Sequence, residues 1–142
     1  MIKRLPAILA CTGCLLAMQA EARTVEIKLV ETSDVHGNYY PEDFINRVPA
    51  KGSLARVYSY VDSVRGAMGD DRVVLLDNGD ILQGQPTVYY YNYIDTAAVH
   101  IASQMMDFMG YDAGTIGNHD VETGHKVYDL SLIHISEPTR PY

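Results

Sequence analysis

The fold is decided by residues 73–80, which read Val-Val-Leu-Leu-Asp-Asn-Gly-Asp. A continuous run of aliphatic residues is typical of a strand that is buried on both faces, as in a parallel sheet covered by helices. The run ends in a polar loop, where Gly79 allows the chain to turn beside Asp80. The sequence therefore predicts a buried strand over 72–76 with acidic side chains just beyond its carboxyl end.

Two more segments repeat this design on either side of the first. Residues 24–30 alternate apolar and polar side chains, which predicts a strand, and they lead into Asp34 and His36. Residues 113–116 predict a brief third strand, and the loop after it reads Gly117-Asn118-His119-Asp120. Each predicted strand thus ends in a loop that is rich in metal-binding side chains.

Helical periodicity fills the gaps between the predicted strands. Apolar residues recur at helical spacing over 53–68, with Ser53 as the expected N-cap. A second helix is expected over 95–109, with Asp95 or Thr96 as its N-cap. The alternation of strand and helix predicts the α/β class, with strands that run mostly parallel.

The loop residues suit a pair of divalent metal ions. Ligand sites in parallel sheets form outside the carboxyl ends of the strands, so the three loops are expected to share one crevice. Carboxylate, imidazole and amide groups without thiolate suit Zn, Mn or similar ions. Two ions about 4 Å apart can clamp the attacking and leaving oxygens of a phosphoryl transfer. The expected metal ligands are Asp34, His36, Asp80 and Asn118, with Asp80 as the carboxylate that bridges the two ions.

His119 directly follows one expected ligand and is the candidate catalytic residue. An imidazole at the edge of the site could protonate a leaving alkoxide or stabilise developing charge. Asp120 and Glu122 are both candidates for the acid that orients this imidazole. Each loop motif alone is a weak signal, because similar strings occur as ordinary turns, whereas three of them at three strand ends form a strong one.

The remaining conspicuous side chains are expected to be structural. His100 is predicted to be a partly buried residue of the second helix, and His125 a surface residue. The methionine cluster over 105–109 predicts core packing, and the tyrosine-rich run over 89–93 is expected to pack over the sheet.

Both ends of the chain carry separate signals. Residues 1–22 have the basic, apolar and small-residue order of a secretory signal peptide, so we expect a periplasmic or extracellular protein. Both cysteines lie in this segment, and a lipid anchor at Cys11 is the weaker alternative to cleavage and release from the membrane. Residues 130–142 resemble the translation of a transposase adapter used in sequencing libraries. We therefore expect residues 23–129 to be the native part of a domain that continues beyond them.

The chain is acidic, with a formal net charge of −7 over 142 residues. This charge argues against electrostatic binding to nucleic acid. An acidic protein that handles phosphate needs cations to do so, which agrees with a metal site.

At these motifs the chain resembles the calcineurin-like metallophosphoesterases, and more narrowly the secreted 5'-nucleotidase and 2',3'-cyclic-nucleotide phosphodiesterase family. The resemblance rests on the sequence motifs at residues 32–37, 78–80, 83–84, 110–113 and 117–120. It implies a four-layer αββα metallophosphatase domain with a di-metal centre, of which this chain supplies the N-terminal half.

The resemblance also implies a role for each loop residue. Asp34 and His36 would bind one metal, Asp80 would bridge and Asn118 would bind the other, with His119 as the catalytic histidine.

The acidic partner of that histidine is less clear from the family's pattern. Family members often carry an aspartate three residues after the histidine, where this chain has Glu122, and Asp120 follows His119 directly. Which acid serves therefore stays open.

The expected function is di-metal hydrolysis of nucleotide phosphoesters by the parent protein. Later loops of the family supply further metal ligands, so the printed chain alone is expected to be inactive. An exported enzyme that acts on cyclic nucleotides, nucleotide sugars or other phosphoesters is the alternative. A non-catalytic binding protein of the same fold is the alternative from another class.

Overall fold

A three-stranded parallel sheet organises residues 23–129, the part of the chain that this computed structural model describes. Its strands are β1 (Lys28–Thr32), β2 (Val73–Asp77) and β3 (Ala113–Gly114), in the order β1-β2-β3. Thr32 pairs with Asp77, and Asp77 pairs with Gly114. All three strands therefore end at one edge, and the predicted α/β class with parallel strands is confirmed.

The strands differ in detail from the sequence-based bounds. β1 begins four residues later than expected, because its pairing with β2 starts where Lys28 lies opposite Val73. β1 lies at the edge of the described sheet, and Val25, Ile27 and Leu29 are exposed. Residues 23–129 contain this sheet and a short antiparallel hairpin of Glu42–Asp43 with Val48–Pro49. The four-layer arrangement stays a prediction, as do the signal peptide and the adapter-derived tail, which lie outside the described residues.

Helix α1 (Leu54–Met68) has the predicted bounds, with Ser53 at its N-cap and Gly69 at its end. The Ser53 hydroxyl makes no capping bond. The first backbone N–H groups of α1 instead donate to the carbonyl oxygens of Asn38 and Tyr39. These bonds satisfy donors that a helix leaves free at its start, and they attach α1 to the loop that follows β1.

The second predicted helix is wrong in its first half. Residues 86–94 form a short helix α2 (Pro86–Tyr89) that continues into a π-helical turn, Tyr90–Ile94. Helix α3 then spans Ile101–Met109. His100 is its N-cap, because the buried imidazole Nδ1 accepts a hydrogen bond from the Ala102 N–H at 3.1 Å. Neither Asp95 nor Thr96 caps α3, and His100 precedes the helix instead of lying within it.

The tyrosine-rich run does not pack over the sheet as predicted. Tyr89, Tyr90 and Tyr93 are exposed, and Asn92 is the buried side chain of the π-helical turn. The methionine prediction is confirmed, since Met106 and Met109 lie in the core with Leu54, Val61 and Leu75 and Met105 packs against it. His125 is exposed, as expected.

Helix α4 (Asn118–Glu122) follows β3 and carries the last of the predicted site residues. Within residues 23–129, no helix combines the length and apolar character needed to cross a bilayer.

Candidate metal centre

The loop after β1 is held directly against the loop after β2. The Asp34 N–H donates to the Gly79 carbonyl at 3.1 Å, and the His36 N–H donates to the Asp80 carbonyl at 2.8 Å. The Asn78 N–H returns a bond to the Thr32 carbonyl at 2.8 Å. The parallel pairing of β1 with β2 thus continues past the strand ends and carries the side chains of both loops to one place.

Three of the expected metal ligands converge there. Asp34, His36 and Asp80 each present a ligand atom, and these atoms all lie within 4.8 Å of one another. His36 Nε2 is 3.9 Å from Asp34 Oδ1. Two carboxylates and one imidazole form a donor set that suits Zn or Mn.

The tautomer of His36 also suits metal binding. Its Nδ1 lies 3.2 Å from the carbonyl oxygen of Gln83. A carbonyl only accepts, so Nδ1 carries the proton and Nε2 has the free lone pair on the side of Asp34. Metal-binding histidines commonly have one nitrogen held in this way by a carbonyl or carboxylate.

The three expected ligands share an unusual backbone conformation. Asp34, His36 and Asp80 have φ values of 55°, 49° and 58°, in the left-handed region that residues other than glycine rarely adopt. Such strain persists where surrounding contacts over-determine it, and it is common at functional sites. The donor set, the tautomer and this conformation together fit a divalent cation.

The third loop meets the other two at Asp80. Asp80 Oδ1 accepts a hydrogen bond from the His119 N–H at 2.8 Å. A side chain at Gly117 would overlap Asp80, so glycine is required for this approach. Asn118 lies between these two residues as the first residue of α4, and it is exposed. The structure therefore brings the fourth expected ligand to the same loop junction.

His119 stands beside the predicted ligands, with its ring centroid 5.4 Å from that of His36. Its Nδ1 is 3.1 Å from Glu122 Oε2. The hydrogen bond to Glu122 raises the pKa of the His119 imidazole, and the charges of Glu122, Asp80 and Asp120 act in the same direction. The same bond, together with one from Gln83, lowers the pKa of the Glu122 carboxyl.

Asp120 points away from the imidazole, toward the backbone of the second loop. It is buried, and its two oxygens accept hydrogen bonds from four backbone N–H groups. Those donors belong to Asp80, Ile81, Leu82 and Gly117. Of the two candidate acids, the structure places Glu122 against His119 and Asp120 beneath the site.

Sequence reasoning missed two contributors to the site. Gln83 contacts both His36 and Glu122, and its place in the loop motif alone does not indicate either contact. Asp77 is buried at the end of β2, where it accepts hydrogen bonds from Thr32 Oγ1 at 2.7 Å and from the Gly79 N–H at 3.0 Å. Burial raises the pKa of Asp77. No local sequence signal distinguishes Asp77 from Asp80, the expected metal ligand three residues away.

Known proteins resemble this chain in sequence and in fold. The chain is 32% identical over 138 residues to a 2',3'-cyclic-nucleotide 2'-phosphodiesterase/3'-nucleotidase of Yersinia enterocolitica, an alignment that covers 93% of this chain and 21% of that protein. It is 34% identical over 108 residues to the 5'-nucleotidase of Bos taurus, covering 72% of this chain and 17% of that protein. No protein-family model matches the chain.

A comparison with solved structures points to the same kind of protein as the sequence relatives do. The crystal structure of the calcineurin-like phosphoesterase YfkN from Bacillus subtilis superposes with a TM-score of 0.66 and 27% identity, over 79% of this chain and 35% of that one. The chain spans about a fifth of the length of the curated relatives it matches. By sequence and by fold, the chain belongs to the calcineurin-like phosphoesterases, in the group that includes the 5'-nucleotidases and the 2',3'-cyclic-nucleotide phosphodiesterases.

Proposed function

We propose that this chain is part of an enzyme that hydrolyses nucleotide phosphoesters at a centre of two divalent metal ions. The observation that carries the proposal is the convergence of Asp34, His36 and Asp80 within 4.8 Å, with the His119–Glu122 pair beside them. The names of the relatives supply the nucleotide as the substrate class.

Four residues of the chain would hold the ions. Asp34 and His36 would bind the first, Asn118 would bind the second, and Asp80 would bridge the two. When bound, the ions would supply Lewis-acid stabilisation of the phosphoryl oxygens and a nucleophilic water at neutral pH. Zn or Mn fits this donor set best, because the set combines imidazole with carboxylate ligands.

His119 would act on the leaving group. Glu122 engages Nδ1 of the imidazole, which leaves Nε2 as the atom that carries a proton toward a departing nucleoside oxygen. Asp80 accepts a hydrogen bond from the backbone N–H of His119, and this bond supports the proposal because it connects the proposed proton donor to the proposed bridging carboxylate.

Additional ligands would come from outside the described residues. Four side chains are too few for two ions that each take four or more ligands. The short coverage of the relatives agrees with a longer parent protein. We therefore propose that the printed chain alone has no phosphatase activity above background.

Export of the parent protein is part of the proposal. Its support is the signal-like order of residues 1–22, which precede the first described residue.

The test uses the full-length gene product, purified and loaded with Zn or Mn. We expect phosphate release from a nucleoside 5'-monophosphate, with 3'-monophosphate and 2',3'-cyclic substrates as parallel arms that identify the preferred ester. Asp80→Asn should abolish turnover of every substrate. Asp62→Asn, which changes an exposed acid on α1, is the matched control and should keep full activity. A metal-loaded protein that releases no phosphate from any of the three, or an active Asp80→Asn variant, would overturn the proposal.

A further inference from the structure

Gln83 lies between the two histidines of the site and contacts the surroundings of both. Its backbone carbonyl lies 3.2 Å from His36 Nδ1. Its side-chain amide donates from Nε2 to Glu122 Oε2 at 3.0 Å. The same carboxylate oxygen is 3.1 Å from Nδ1 of His119. One residue therefore joins the predicted metal ligand to the predicted proton donor.

The side-chain contact matters because, within residues 23–129, Gln83 and His119 are the side chains that bond to the Glu122 carboxylate. Its side chain is 58% exposed, and it closes a helix of only five residues. An exposed carboxylate and its partner lose side-chain entropy when they are held in one geometry, so a single exposed pair is weakly populated. A second hydrogen bond to the same oxygen restricts the carboxylate before the imidazole binds to it.

We propose that Gln83 is a positioning residue: its side-chain amide holds the Glu122 carboxylate, and that carboxylate holds His119 in the orientation that delivers a proton to the leaving group. This inference rests on the proposed function for its kinetic consequences. Its structural content is the chain of contacts Gln83–Glu122–His119.

The chemistry at position 83 favours an amide over an acid. A carboxylate there would stand about 3 Å from Glu122, where two like charges repel and one would take up a proton. An amide nitrogen is a donor without charge, so it restrains Glu122 and leaves that carboxylate free to attract the imidazole.

The two contacts of Gln83 can be separated by mutation. The link to His36 uses the backbone carbonyl, which every substitution retains, whereas the link to Glu122 uses only the side chain. Gln83→Met has a similar length without the donor, and Gln83→Glu has the same shape with a repelling charge. Both variants should keep the metal content of the wild type, because the bond that holds His36 is unchanged.

The kinetic test compares leaving groups in the full-length, metal-loaded protein. With a nucleoside monophosphate, whose alkoxide must be protonated, Gln83→Met should lower kcat about tenfold with little change in KM. With a p-nitrophenyl ester, whose phenolate leaves without a proton, kcat should change less than about twofold. Equal losses on both substrates, or loss of bound metal, would show that Gln83 acts on the metal site and would overturn the inference.

A double-mutant cycle tests the route through Glu122. In a Glu122→Ala background, Gln83→Met should cost almost nothing more, since the group that it positions is gone. If Gln83→Met lowers kcat as much in the Glu122→Ala background as in the wild type, the inference is contradicted.

A crystal structure of Gln83→Met supplies a readout that does not depend on turnover. We expect the Glu122 carboxylate to leave His119 Nδ1 or to occupy several positions. If the wild type hydrolyses no nucleotide but Glu122 moves in the variant, the proposed function fails and the positioning role stands. If Glu122 stays in place, the positioning role fails whatever the activity.

Discussion

Oδ2 of Asp120 lies 2.7 Å from the backbone nitrogen of Asp80, so a buried carboxylate of the third loop holds the backbone of the second. The same side chain accepts hydrogen bonds from the N–H groups of Ile81, Leu82 and Gly117. Four backbone N–H groups in loops thus find their acceptor in the Asp120 carboxylate. Hydrogen bonds to a charged acceptor are stronger than bonds between neutral groups. Asp120 thereby sets the position of the backbone of Asp80, the proposed bridging ligand.

Asp120→Asn should therefore destabilise the protein. An amide removes the charge and turns an N–H group toward backbone donors, and each buried donor that loses its acceptor costs about 1–3 kcal/mol. We expect the free energy of unfolding to fall by about 3 kcal/mol, measured by urea denaturation. The control Asp62→Asn should change it by less than about 0.5 kcal/mol, because that acid is exposed on α1. Equal effects of the two variants would rule out the bracing role of Asp120.

Gly117 and Gly66 form a matched pair for testing the approach of the third loop. A methyl group at Gly117 would overlap the carboxylate and backbone nitrogen of Asp80, whereas one at Gly66 meets nothing within 4 Å. Gly117→Ala should displace Asp80, so metal content measured by elemental analysis should fall.

Gly66→Ala should leave metal content unchanged in the same measurement. It should also stabilise the protein by about 0.5–1 kcal/mol, since alanine is the better helix former inside α1. Normal metal content in Gly117→Ala would mean that the loop junction can relax around a methyl group.

Sequence patterns predicted those features that local chemistry decides. The apolar run of β2, the periodicity of α1 and the glycines that follow α1 and α3 are signals that lie in the elements themselves or next to them. Three of the four expected metal ligands were also brought together as predicted, because parallel strands end at one edge. The π-helical turn was not predictable, since its buried residue is Asn92, which donates to the Leu82 carbonyl 10 positions away.

The choice between Asp120 and Glu122 was also beyond the sequence. Both lie on α4, and only the packing of that short helix decides which one faces the backbone of the neighbouring loop and which one faces the imidazole. The contacts of Gln83 are not predictable from local sequence either, because their partners lie 47 and 39 positions away in the chain.

We expect the stability of the fold to fall in acid because His100 is buried in its neutral form. Its Nδ1 accepts from the Ala102 N–H, and Nε2 therefore donates to Asn92 Oδ1 at 2.9 Å. Burial lowers the pKa of this imidazole to about 4 from an ordinary value of 6.5. Between these pH values the unfolded chain takes up a proton that the folded chain excludes. The contribution of His100 to the free energy of unfolding is therefore fully present above pH 6.5. It is lost as the pH drops toward 4, by up to about 3 kcal/mol.

Chemical denaturation across this pH range measures the slope. His100 lines a cavity, and the other titratable groups of residues 23–129 that line it are Tyr91, whose ring is 5.6 Å away, and His125, Lys126 and Asp129. His100→Gln should flatten the dependence, whereas His125→Gln should preserve it because His125 is exposed. An unchanged slope in His100→Gln would assign the acid sensitivity to another group.

Asp34 and Arg47 offer a test of whether backbone strain is retained for metal binding. Both have left-handed φ values, 55° and 54°, and both are exposed. Of the two, only Asp34 belongs to the candidate metal-binding group of Asp34, His36 and Asp80. Its carboxylate lies near that of Asp80, and the two like charges repel in the absence of a cation. A glycine at either position relieves the conformation, which costs other residues roughly 1–2 kcal/mol.

Asp34→Gly should leave the metal-free protein as stable as the wild type or up to about 1 kcal/mol more stable, because relief of strain and repulsion offsets the added freedom of the unfolded chain. The same variant should bind Zn or Mn at least about tenfold more weakly. Arg47→Gly should show the backbone effect alone, with unchanged metal affinity. Thermal unfolding with and without metal, together with calorimetric titration, separates the two quantities. A metal-free Asp34→Gly protein that is clearly less stable than the wild type would mean that Asp34 holds the loop together, and that its left-handed backbone is retained for the fold and not for the cation.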